Sequence, residues 1–201
     1  MNKLIPTLIV VILAGALVYV YVERQKTPVV VPPIQQPTLH TYTDPQGAFS
    51  LKFPSDYVVD TSYTYDAAPA RLIHGVKFTI PTSRARGTNL STDSYVSIER
   101  IPNTTSCSAV LFFDTNQTAE ERSEEGVTYS ISTLRDAAAG NRYDVTVYAL
   151  PGSDPCTAIR YFIHYGALQN YDPGAVTDFN EAQLTREFDA IRASFTLTPR
   201  P

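Results

Sequence analysis

Apolar side chains recur along this chain in three rhythms. From Leu4 to Val22, LIPTLIVVILAGALVYVYV, nineteen residues pass without a charge. As a helix they would reach about 28 Å, close to the roughly 30 Å hydrocarbon core of a bilayer. A period of two follows. Phe49, Leu51 and Phe53 alternate with Ser50 and Lys52, and Val76, Phe78 and Ile80 alternate with Lys77 and Thr79. Tyr95–Ile98 forms a third run, and Val127–Thr133 and Tyr143–Ala149 read as two further strands with Gly140-Asn141 at the turn between them. In a sixth, Ala158–Tyr165, one face carries Ile159, Tyr161 and Ile163 and the other Arg160, Phe162 and His164. Such alternation predicts half-buried strands.

The third rhythm is helical. Leu184, Phe188, Ile191 and Phe195 recur at spacings of four, three and four, which is one apolar stripe. Asp178 stands as its expected N-cap, with Glu181 opposing the positive helix end and Arg192 near the other terminus. Thr118-Ala-Glu-Glu121 repeats the capping signature, predicting a short polar helix that Gly126 stops. On that helix Glu120, Glu121, Glu124 and Glu125 would form a solvated stripe relieved by Arg122. The pattern predicts an α+β domain, an antiparallel sheet covered by a C-terminal amphipathic helix and preceded by one N-terminal transmembrane helix.

Three segments follow. Residues 1–26 hold the signal anchor, with its span at 4–22. A cleaved secretory signal competes, because Lys3 gives a basic leader and Ala14-Gly15-Ala16 has the form of a cleavage site. Against cleavage, the apolar run continues through Leu17–Val22, and Tyr19 and Tyr21 suit a membrane interface. Residues 27–38 carry Pro28, Pro32, Pro33 and Pro37, a stiff spacer reaching about 37 Å at the polyproline rise. Residues 39–201 make one domain.

Charge and cysteine content place that domain. The chain of 201 residues has a formal net charge of −4, and removing Lys3, Glu23, Arg24 and Lys26 leaves 13 basic against 19 acidic side chains, or −6, on residues 39–201. Nucleic acid is disfavoured as a partner. The only two cysteines, Cys107 and Cys156, lie in the domain. A lone pair behind an export-type segment favours a disulfide in an oxidising compartment, and two buried free thiols are the alternative. These features point to a single-pass protein of the cell membrane with its C-terminal domain extracytoplasmic and the bilayer as partner of the N-terminal helix.

The opening Tyr42-Thr-Asp-Pro-Gln-Gly47-Ala-Phe49-Ser-Leu-Lys-Phe53-Pro54-Ser-Asp-Tyr57 resembles the start of PsbP-like domains. The closing Phe188-Asp-Ala-Ile191-Arg-Ala-Ser194-Phe195-Thr-Leu is similar to their final helix entering a last strand. Tyr57 stands where many relatives have Trp, and the middle of the chain carries no match. The resemblance implies an α/β/α sandwich of extracytoplasmic or lumenal location that serves as an accessory or binding module of a membrane complex.

Chemistry leaves fewer traces. His40, His74 and His164 are scattered, with no HxxxH or CxxC, so no metal site is expected. GxSxG, SxxK, GxxxxGK[ST] and GxGxxG are all missing, so no catalytic residue and no cofactor is assigned. His164 reads as a partly buried structural imidazole, or as a group projecting between sheet and helix. Tyrosine is the suggestive type, thirteen of them without a tryptophan. Tyr63 and Tyr65 in a polar loop, with His164, Tyr165 and Tyr171 before the last helix, form a candidate recognition surface, and rim packing is the plainer account of each. Asn89, Asn103 and Asn116 begin N-x-[ST] sequons. The expectation is a membrane-anchored, non-enzymatic binding or accessory module whose partner is an envelope protein or glycan. The alternatives are a cell-envelope hydrolase with an unrecognised active site, and a protein released by cleavage after Ala16.

Overall fold

The computed structural model describes residues 38–68 and 71–198. The expected anchor, 1–26, and the proline-rich linker up to Pro37 lie outside the described residues. Among the described residues no helix is long and apolar enough to cross a membrane.

The domain is mostly antiparallel sheet with few helices. Strands β1 (Leu39–Thr43), β2 (Phe49–Pro54) and β11 (Thr196–Leu197) form a three-stranded sheet in the order β1-β2-β11. The larger sheet runs β3 (Val58–Asp60), β5 (Arg71–Thr79), β6 (Tyr95–Ile101), β10 (Cys156–Gly166), β9 (Asn141–Ala149), β8 (Val127–Ala138), β7 (Glu120–Glu124), and β4 (Thr64–Ala68) also pairs with β5. Among the described residues two helices have α-helical form, a short α1 (Thr82–Ala85) and α2 (Glu181–Ala193).

The period-two runs sort the side chains onto two faces of the large sheet. On one, Val76, Phe78, Val96, Ile98, Ile159, Tyr161 and Ile163 meet Phe49, Leu51 and Phe53 of β2 and Leu184, Phe188 and Ile191 of α2. The helical stripe is thus buried as its spacing requires. On the other face, Ile73, Val145, Val147, Ala149 and Ala158 are covered by Ala109, Phe112 and Phe113. That cover contains only a 3-10 turn, Ala109–Phe112, so the described layers are not the helix-sheet-helix arrangement that the resemblance implies. The Cys107–Cys156 disulfide fastens the cover to the start of β10, with the Cα atoms 5.0 Å apart.

The two stretches that carry the PsbP-like resemblance meet in space. Thr196 and Leu197 pair with Ser50 and Phe49, the Phe49 and Phe195 rings stack at 5.5 Å, and the Lys52 amide donates to Ser194 Oγ at 2.8 Å.

Two sequence readings are corrected. Residues 120–124 are strand β7, not a helix, and Glu125 and Gly126, with φ of 51° and 84°, make a two-residue hairpin turn to β8. Gly126 supplies positive φ either as a helix stop or as the second residue of such a turn, and here pairing with β8 selects the turn. The i, i+2 spacing then puts Glu120 and Glu124 beside Arg122. The cap of α2 is Asn180, whose Oδ1 accepts from the Gln183 amide at 2.9 Å, while Asp178 accepts from Asn89 Nδ2 at 3.2 Å.

Candidate functional site

The sheet face opposite α2 concentrates the polar chemistry. Glu99 on β6 is 0% exposed and Arg160 on β10 is 1% exposed. Arg160 donates from Nε to Glu99 Oε1 at 2.7 Å and from Nη2 to Oε2 at 3.1 Å, a two-pronged pair, and Nη2 also reaches the Phe112 carbonyl. Glu99 Oε1 further accepts from Ser97 Oγ at 2.8 Å and from the Tyr63 hydroxyl at 3.2 Å. The Tyr63 proton being spent there, Tyr95 donates to the Tyr63 oxygen at 2.9 Å. Burial opposes the guanidinium charge, but the Glu99 carboxylate beside it holds Arg160 above its ordinary value. Burial, then Glu99, pushes the Tyr63 phenol up. Tyr65 packs against Arg160, 4.0 Å from guanidinium carbon to ring centre. Every member is engaged by another, which is the condition for burying such a network.

From Tyr95 an aromatic row leads outward across the strands. Tyr95 stacks on Phe162 at 4.9 Å, Phe162 lies 6.1 Å from Tyr143, and Tyr143 stacks on His164 at 4.5 Å. Lys77 closes the other end, 5.2 Å over Tyr63 and 5.6 Å over Tyr95. Phe162, Tyr143, His164 and Lys77 are half-buried, so one edge of the row meets solvent. His164 Nδ1 contacts both Asp93 carboxylate oxygens, at 2.8 and 3.0 Å, which fixes the ring, and its buried Nε2 has no hydrogen-bond partner. His164 therefore sits on the sheet face away from α2 and does not project between sheet and helix, because β10 alternates and Ile163 takes the helix side.

The five expected recognition residues are divided. Tyr63, Tyr65 and His164 share this face, but Tyr63 and Tyr65 are consumed by the Glu99–Arg160 network. Tyr165 lies on the opposite face against Phe179, 5.1 Å between rings. Tyr171, more exposed, stands in the loop beside Gly166.

Comparison with known proteins gives a fold likeness only. No family model and no curated protein matches the chain. Seven solved chains match. One is cyanobacterial PsbP, CyanoP, from Synechocystis sp. PCC 6803, at 12% identity and a TM-score of 0.43, covering 83% of this chain and 96% of that one. Another is the Ran-binding protein Mog1p of Saccharomyces cerevisiae, at 8% identity and a TM-score of 0.47, covering 81% of this chain and 96% of that one.

Sequence reasoning missed Glu99, Tyr95, Tyr143 and Phe162. A signal for the first existed, since Glu99 alternates with Ile98 in a strand as Arg160 does with Ile159, and two opposite charges at inward positions of central strands need each other. Among the described residues, no cluster of three or more His, Cys, Asp or Glu could hold a metal ion. The Asn89 sequon is occupied otherwise: the residue is 3% exposed, donates from Nδ2 to the Gly166 carbonyl at 2.9 Å and accepts the Phe179 amide at 2.9 Å.

Proposed function

We propose that this chain is a non-enzymatic binding or accessory module of PsbP-like type, held outside the cytoplasm by the apolar segment 4–22 and the proline-rich spacer 27–38. The observation that carries the reading is the aromatic row Tyr95-Phe162-Tyr143-His164, laid over neighbouring strands and half-open to solvent. Adjacent strands are about 4.8 Å apart, so the rings present a platform on the order of 10 Å long, suited to an envelope protein segment or a sugar chain. The domain's acidic balance argues against nucleic acid as the stacking partner.

A hydrolase is the second reading, and the Asp93–His164 pair favours it, since a carboxylate-oriented imidazole is how a general base is set. Two facts weigh the other way: no hydroxyl or thiol bonds to Nε2, and that atom is buried from solvent.

The test is site-specific photo-crosslinking of the full-length chain in its own membranes. A photoreactive phenylalanine at Tyr143 should give discrete adducts, while the same group at exposed Val58 should not. Indistinguishable patterns at both positions, or full-length protein found in the soluble cytosolic fraction, would reject the proposal.

A further inference from the structure

We propose a second site: the groove between the β1–β2 turn and the neighbouring ends of β5 and β6 binds a small carboxylate with an apolar body. The groove has a volume of about 680 Å³, within the range of roughly 300–1,000 Å³ usual for small-molecule sites. Its apolar lining combines Tyr42 and three prolines, Pro45, Pro102 and Pro155, with the core residues Phe49, Val76 and Ile98 behind them. Its polar groups come from strand alternation, which carries His74 and Arg100 onto the same face as Val76 and Ile98. His74 and Arg100 are direct cross-strand partners, so an imidazole and a guanidinium stand opposite one another at the groove.

Arg100 is the unusual member. Its Nε is buried without a hydrogen-bond partner. Among the described residues the two buried arginines, Arg160 and Arg192, are both paired with carboxylates, and no such pair forms at the part-buried Arg100. Asp44 lines the groove too, but its Oδ2 is spent inside the β1–β2 turn, accepting the Gln46 amide at 3.0 Å and the Ala48 amide at 3.2 Å. A buried unpaired donor is costly. A carboxylate relieves that cost, because the guanidinium fork matches its two oxygens. A single guanidinium beside an aliphatic and aromatic surface selects a monoanion with an apolar portion over a phosphate dianion.

The probe is 4-phenylbutyrate, with the neutral 4-phenylbutyramide as its control, titrated by calorimetry into the full-length chain in lipid nanodiscs. The acid should bind saturably at a single site in the millimolar range or tighter, and the amide about tenfold more weakly, the loss expected for one charge-assisted hydrogen bond. Arg100→Met should lower affinity for the acid by about the same factor while leaving the amide unchanged and the thermal midpoint no lower. Tyr143→Ser, in the aromatic row, should leave acid binding intact, which separates this site from that one. Equal affinity for acid and amide on the unaltered protein would overturn the proposal whatever the variants do. So would a lack of saturation, or full retention of acid binding in Arg100→Met.

Discussion

Arg192, in the last turn of α2, donates from Nε to the Tyr161 hydroxyl of β10 at 2.9 Å. The contact ties the helix to the centre of the large sheet. The same guanidinium reaches Glu124 at 2.7 Å and Asp189 at 3.3 Å, and lies 4.3 Å from the Tyr148 ring centre and 5.0 Å from that of Tyr129. Arg192→Lys keeps the charge but loses the planar stack and the second prong. We expect it to cost about 1–2 kcal/mol, and Arg192→Met about 2–3 kcal/mol, in urea unfolding. Equal stability of both variants and the parent would show that the tyrosines pack as well without the cation.

The Glu99–Arg160 pair makes a sharper case, since both side chains are withdrawn from water. Removing one partner strands the other. Arg160→Met or Glu99→Leu alone should destabilise by about 3–5 kcal/mol, whereas the double change should be much milder than the sum. A double-mutant cycle in denaturant measures the coupling. Additive costs would mean that each residue acts by packing alone.

Hairpin β8–β9 turns on Ala139 and Gly140, with φ of 49° and 82°. Left-handed geometry penalises the Cβ of alanine. Ala139→Gly should therefore raise stability by about 0.5–1 kcal/mol, the relief of strain exceeding the added freedom of the unfolded chain. Calorimetric melting tests this, and a lower midpoint would contradict it.

The disulfide closes a separation of 49 residues. The chain-entropy account gives such a loop about 4 kcal/mol, so reduction should shift the urea midpoint down strongly without changing the spectrum of what remains folded. A midpoint indifferent to reductant would be the contrary result.

Alkaline pH should unfold the domain cooperatively. Burial pushes Tyr95 up from its ordinary value near 10 to about 12, and burial raises Tyr57, Tyr63 and Tyr161 as well. The folded state thus holds protons that the unfolded chain releases near pH 10. The contribution of Tyr95 is complete below pH 10 and is lost as pH climbs from about 10 to 12. Tyrosinate absorbance should rise together with loss of near-ultraviolet dichroism. A gradual rise with the fold intact would refute it.

Local pattern by itself determined the strands in β2, β5, β6, β9 and β10 and the buried stripe of α2, and it favoured the pairing of Cys107 with Cys156 over two free thiols. Each rests on alternation, on helical spacing or on there being only two cysteines, all of which are properties of the chain read in order. Tertiary contact decided the rest. Residues 120–124 have a helix-like sequence, and only the ladder to β8 makes them a strand. The cap of α2 falls to Asn180, and Asp178 instead accepts from Asn89, far away in sequence. The aromatic row draws on β6, β9 and β10, and strand order is set by how whole sheets bury their faces, so no window of sequence contains Tyr95, Phe162 and Tyr143 together.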